Sequence, residues 1–82
     1  MYIYCKNTNV SLLIGHTIRT MRKERQLTQE DLSGLADIGT PYISNIENGI
    51  ANLSLKKICA LAEALDVTPA DLFPKSGGSD ND

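Results

Sequence analysis

Two short apolar-periodic segments joined by a turn-forming tripeptide constrain this chain more than any other feature. The first is Thr28-Gln29-Glu30-Asp31-Leu32-Ser33-Gly34-Leu35-Ala36, and the second is Thr40-Pro41-Tyr42-Ile43-Ser44-Asn45-Ile46-Glu47. Leu32, Leu35 and Ala36 recur at helical spacing on the first, and Ile43 and Ile46 do so on the second. Thr28, with Asp31 three residues on, predicts a capping box that uses Asp where Glu or Gln is usual. Gly39 stands as N-cap of the second segment, and Asn48-Gly49 supplies a left-handed stop. With only Asp37-Ile38-Gly39 between them, the two helices cross steeply.

The same periodicity predicts a first helix from near Ser11 to about Arg25. Leu12 or Leu13, Ile14, Ile18 and Met21 would face inward, with Leu27 just beyond. Gly15 inside that helix costs about 1 kcal/mol relative to Ala, and close packing against a neighbouring helix is the expected reason. A fourth helix starts at the N-cap Ser54, with Leu55, Ile58, Cys59, Ala62 and Leu65 as its expected buried stripe and Leu61 to one side. Thr68-Pro69-Ala70-Asp71 opens a short fifth helix that ends at Leu72-Phe73 before Pro74. The expected class is therefore all-α, five short helices with brief connections. Residues 10–74 form the domain, residues 1–9 an N-terminal arm and residues 75–82 a disordered polar tail.

Eighty-two residues make one domain, which buries roughly 60% of its unfolded surface. There is no Trp and a single Phe, so the core is aliphatic. Cys5 and Cys59 make no disulfide framework and point to a reducing, cytoplasmic setting. Cys59 reads as a small core residue. Two cysteines and one histidine show no zinc-ligand spacing. There is no signal-peptide pattern, and no run nears the roughly 20 apolar residues that span a bilayer. His16 reads as an exposed helix residue without a nucleophile or acid partner. With no paired carboxylates and no phosphate loop either, enzymatic chemistry has no support, and no cofactor or metal is expected.

The net charge of −2 argues against a polyanionic partner, but its distribution does not. Residues 1–27 carry Lys6, Arg19, Arg22, Lys23 and Arg25 against Glu24 alone, a balance of +4. Residues 28–82 carry Lys56, Lys57 and Lys75 against nine carboxylates, a balance of −6. Local field rather than total charge steers a polyanion. A basic helix beside two helices joined by a tight turn suggests a helix-turn-helix, whose second helix can enter a DNA major groove.

Ile14-Gly15-x-x-Ile18-Arg19-x-Met21-Arg22-x-x-Arg25-x-Leu27-Thr28-Gln29-Glu30-Asp31-Leu32 resembles the opening of the phage repressor and Cro-like helix-turn-helix family, often called the Xre family. Tyr42-Ile43-Ser44-x-Ile46-Glu47-x-Gly49 and Asn52-x-Ser54-Leu55 resemble its third helix and the start of its fourth. The resemblance spans residues 12–73. Asn52-Leu53-Ser54-Leu55 and the small size are similar to controller proteins of restriction–modification systems.

The resemblance implies a lambda-repressor-like domain with its helix-turn-helix at helices 2 and 3. It implies a transcriptional regulator that binds a double-stranded DNA operator as a homodimer, with RNA polymerase as a further candidate partner. The recognition helix would span about 40–48 and read bases through Thr40, Pro41, Ser44 and Asn45. Arg19, Thr28, Gln29, Asn48, Asn52 and Lys56 would meet phosphates, helped by the free amides at the start of helix two. Arg22 and Glu47 match positions that pair, linking helix one to helix three. Many controller proteins carry Arg at the places of Thr40 and Ala51, so a bidentate guanine contact from helix three is missing here. Tyr42 suits the core, a phosphate contact, or both. Leu61, Val67, Leu72 and Phe73 exceed the needs of one small core, which suggests a two-fold dimer surface there. The competing reading is an antitoxin-type protein-interaction module that also binds DNA.

Overall fold

Local capping chemistry sets the helix boundaries. The computed structural model describes residues 7–51 and 53–73. Among them are four α-helices, α1 (Asn7–Glu24), α2 (Gln29–Ala36), α3 (Thr40–Glu47) and α4 (Leu55–Ala64), then a single 3-10 turn, Pro69–Leu72. The expected fifth helix is thus one tight turn. The first helix begins a turn earlier than Ser11, so part of the expected arm is helical. Residues 1–6 and the expected tail lie outside the described residues.

At the start of α2, Thr28 Oγ1 accepts from the Asp31 N–H at 3.0 Å, and the Thr28 N–H donates to Asp31 Oδ2 at 2.9 Å. Ser54 Oγ accepts the Lys57 N–H at 3.2 Å to open α4. The Thr68 N–H donates to Asp71 Oδ2 at 3.0 Å at the 3-10 turn. Gly39 precedes α3 with no side-chain cap, and Pro41 follows in the first turn, where a missing N–H is harmless.

All four helices end alike. One residue turns left-handed: Gln26 (φ 58°), Asp37 (φ 58°), Gly49 (φ 75°) and Asp66 (φ 61°). The N–H of the next residue then reaches the carbonyl five back. These bonds are Leu27 to Arg22 (3.0 Å), Ile38 to Ser33 (3.1 Å), Ile50 to Asn45 (2.9 Å) and Val67 to Ala62 (2.9 Å). This is the Schellman closure, and a glycine suits it best. Only Gly49 is one. A left-handed Gln26 carries a steric penalty that glycine avoids. Gln26→Gly is expected to stabilise the domain by about 0.5–1 kcal/mol in a denaturant melt; a lower midpoint would refute the strain at this position.

The core is Ile14 and Ile18 of α1, Leu32 and Ala36 of α2, Ile43 and Ile46 of α3, Ile58, Leu61, Ala62 and Leu65 at α4, and Leu72. Met21, Leu27, Ile38, Tyr42, Leu53 and Val67 pack against it. Several expectations change. Leu35 is exposed, Leu12 and Leu13 are each about half exposed, and Leu55 is 72% exposed. Cys59 is an exposed free thiol rather than a core residue. Leu61, expected off the stripe, is fully buried. The larger apolar side chains cover an arc of about 160° around α4, from Leu61 through Leu65 and Ile58 to Leu55 and Cys59. A packed helix buries an arc nearer 100°. α2 and the 3-10 turn lie against α4, and the half that carries Leu61 is the one buried. Leu55 and Cys59 are left in solvent.

Candidate nucleic-acid interface

α3 is buried along one side and open along the other. Ile43, Ile46 and Glu47 are buried, while Pro41, Asn45 and Asn48 are exposed and Thr40 and Ser44 are half-buried. Pro41, Asn45 and Asn48 stand at helical spacing and form one outward stripe. All four expected base-reading residues therefore reach the surface from a helix anchored behind them.

The anchor is a charged network, and Gly15 lets it form. A Cβ on Gly15 would overlap the Ile46 carbonyl oxygen and lie 2.9 Å from that of Glu47. Without one, α1 meets the last turn of α3 backbone to backbone, as expected of a glycine placed for close packing. Two turns further along the same face of α1, Arg22 pairs with Glu47. Arg22 Nε donates to Glu47 Oε2 at 2.6 Å and Nη2 donates to Oε1 at 3.1 Å. Both residues are buried, at 8% and 6% exposure. Arg22 Nη1 also donates to the Leu27 carbonyl at 2.7 Å. Gln29, the first residue of α2, donates from Nε2 to Glu47 Oε1 at 3.1 Å. The start of α2, the end of α3 and the last turn of α1 thus share one carboxylate.

At the same end of α2, the capping box consumes one of the orphan amides, and the N–H groups of the first helical residues have no carbonyl to reach within the helix. The Asp31 carboxyl is held below its usual value, first by the Thr28 N–H and then by the Thr28 hydroxyl. A depressed folded pKa gives stability that is fully present above the unfolded value and lost as pH falls through the folded one. Asp31→Asn is therefore expected to remove part of the acid-induced drop in melting temperature below about pH 4. Parallel acid limbs in wild type and variant would contradict this.

The structure also redistributes the basic charge. Arg22 is spent inside the network. Arg25 donates from Nε to the Leu65 carbonyl at 2.8 Å and from Nη1 to the Met21 carbonyl at 3.1 Å. It ties the ends of α1 and α4 together. Arg19, Lys23 and Lys56 are exposed. Lys57 Nζ lies 5.1 Å from the centre of the Tyr42 ring. Tyr42 is half-buried against the core, and with Lys57, Asp37, Ile38 and Gly39 it lines an open cleft beside the start of α3. The helix-turn-helix turn is pinned by Ser33, whose hydroxyl donates to the Ile38 carbonyl. Arg25, Ser33 and Lys57 escape sequence reasoning, because each acts on a partner that only the fold brings near. Thr28, Arg19 and Asn48 are exposed, whereas Asn52 lies outside the described residues.

The expected dimer set needs correction. Leu61 and Leu72 are fully buried within one chain and present nothing to a second copy. Val67 is half-buried, and Phe73 is 40% exposed. Among the described residues no helix is long and apolar enough to cross a membrane.

The helix-turn-helix family profile matches residues 18–72. The control protein C.BamHI of Bacillus amyloliquefaciens is 40% identical over 66 residues, covering 79% of this chain and 82% of that protein. The transcriptional regulator DdrOP3 of Deinococcus deserti is 40% identical over 56 residues, 68% of this chain but only 43% of that protein. The crystal structure of the restriction–modification controller protein C.AhdI from Aeromonas hydrophila superposes with a TM-score of 0.75 at 36% identity, covering 77% of this chain and 96% of that one. These relatives are named as regulators and control proteins, not enzymes.

Proposed function

The chain belongs to the helix-turn-helix family of phage repressor and Cro-like regulators, and from that premise we propose that it binds a double-stranded DNA operator as a homodimer and regulates transcription with α3 in the major groove. The observation that carries the reading is the outward stripe of Pro41, Asn45 and Asn48, flanked by Thr40 and Ser44, on a helix whose other side is buried. Small polar groups suit base edges. Asn can pair with adenine, the hydroxyls serve either base, and the proline ring packs on a thymine methyl. No arginine reaches out from this face, so phosphate contacts must supply much of the affinity. Arg19, Thr28, Gln29, Tyr42, Asn48, Asn52 and Lys56 are the residues assigned to them. Two recognition helices in successive major grooves need half-sites roughly 34–36 Å apart. Val67 and Phe73 are the accessible members of the set proposed for the two-fold contact.

Selection of bound sequences from random duplex DNA tests this directly. The expected result is a pseudo-palindrome bound by two chains, with affinity falling steeply as salt rises. Asn45→Ala is expected to relax preference at one position per half-site by about 1–3 kcal/mol, whereas Arg19→Ala weakens all sequences alike and makes the salt slope shallower by about one per half-site. Absence of any enriched sequence, together with no salt-sensitive binding at low ionic strength, would overturn the reading.

A further inference from the structure

Glu47 does more than hold Arg22. Its Oε1 accepts both Arg22 Nη2 and Gln29 Nε2, each at 3.1 Å, and its side chain is only 2% exposed. A carboxylate accepts and cannot donate, so the Gln29 amide must present its nitrogen there. That fixes the amide: one N–H on Glu47, the other, roughly 120° away, free for an acceptor outside. Gln29 is half-buried at the first position of α2, beside main-chain N–H groups that favour an anion. We infer that Glu47, at the end of the recognition helix, is a positioning residue that pre-sets the Gln29 amide for a DNA phosphate. This rests on the DNA-binding reading above. The tie links backbone grip to base reading, because the carboxylate that orients the phosphate donor is carried by the helix that lies in the groove.

The arrangement saves ordering a flexible side chain at the moment of binding, an advantage commonly worth a few-fold in affinity per side chain. The test is a double-mutant cycle on DNA affinity, with the selected duplex as probe. Replacing the whole ion pair, Arg22→Met with Glu47→Met, leaves no buried charge unpaired and preserves folding in comparable cases. This pair variant is expected to melt cooperatively near the wild-type temperature, yet to bind about tenfold more weakly as both protomers lose the orientation. Gln29→Met is expected to weaken binding too, and the triple variant is expected to bind no more weakly than Gln29→Met alone. Equal losses from the pair replacement in both backgrounds, or no loss in either, would overturn the inference. A second measurement needs no variant of the pair. In wild type, one Gln29 side-chain amide proton is expected to be protected without DNA and to keep its shift on binding, while the other moves. Both protons at the shifts of an unstructured glutamine, and both exchanging fast with water in the free protein, would refute the tie. A wild-type chain that binds no duplex at all refutes the DNA-binding reading instead.

Discussion

Glu47→Ala is expected to lower stability by about 3–5 kcal/mol, among the largest effects of any single substitution in this chain. The deleted contacts themselves account for only part of it. Arg22 is 8% exposed, and its Nε and Nη2 lose their acceptor when the carboxylate goes. Only the Leu27 carbonyl remains, on Nη1. A guanidinium left buried without a counter-charge is the main penalty, because the intact pair need contribute little net stability. For a domain of this size such a loss lowers the melting temperature by roughly 15 °C or more. Thermal melts followed by circular dichroism measure it. The mechanism has its own signature: adding Arg22→Met to Glu47→Ala should recover much of the loss, since the stranded charge is then gone. Additive losses would mean that the two residues act separately. A Glu47→Ala midpoint within about 2 °C of wild type would mean that the pair is solvated.

This pair also marks where sequence reasoning reaches its limit. The partners are 25 positions apart, and nothing local to either signals the other; their pairing was legible only through the family resemblance. The caps at Thr28, Ser54 and Thr68 were legible directly, since a capping motif is complete within four residues. The inward residues of α3, Ile43 and Ile46, followed from period alone, whereas its outward set, Thr40, Pro41, Ser44 and Asn45, came from the family resemblance. The ends of α1, α2 and α4 were harder, because Gln26, Asp37 and Asp66 occupy left-handed positions that the glycine rule would not single out. The phase of α4 was ambiguous for a different reason. Its apolar arc is wider than its neighbours cover, so Leu61 and the pair Leu55 and Cys59 competed for the inside. The packing of α2 and the 3-10 turn decides that contest. The same fact moves Leu61 and Leu72 from a supposed partner surface into the core. Gln29 shows the converse limit. Its proposed role at a phosphate came through the family resemblance, but its bond to Glu47 depends on where α3 ends in space.

Gly15→Ala is expected to destabilise the domain by at least about 2 kcal/mol, although helix propensity alone favours alanine by about 1 kcal/mol. Steric overlap decides the sign. The added methyl would overlap the Ile46 carbonyl oxygen and lie 2.9 Å and 3.1 Å from the oxygen and carbon of the Glu47 carbonyl. These are backbone atoms, so no side-chain rotation can relieve the contact. α3 must back away from α1, and that movement stretches the Arg22–Glu47 bonds two turns further along α1. The same protein supplies the control. Gly34, in the middle of α2, has nothing within 4 Å of the position a Cβ would take. Gly34→Ala should therefore gain what propensity allows, about 0.5–1 kcal/mol. The two substitutions are chemically identical and sit in neighbouring helices, so opposite shifts in melting temperature isolate packing from propensity. The effect on binding should separate them as well. Gly34→Ala leaves the placement of α3 untouched, whereas Gly15→Ala displaces it and should weaken DNA affinity even at temperatures where the variant is fully folded. Equal and favourable shifts from both would mean that α1 and α3 are not in backbone contact in solution, and the network at Glu47 would lose its geometric basis.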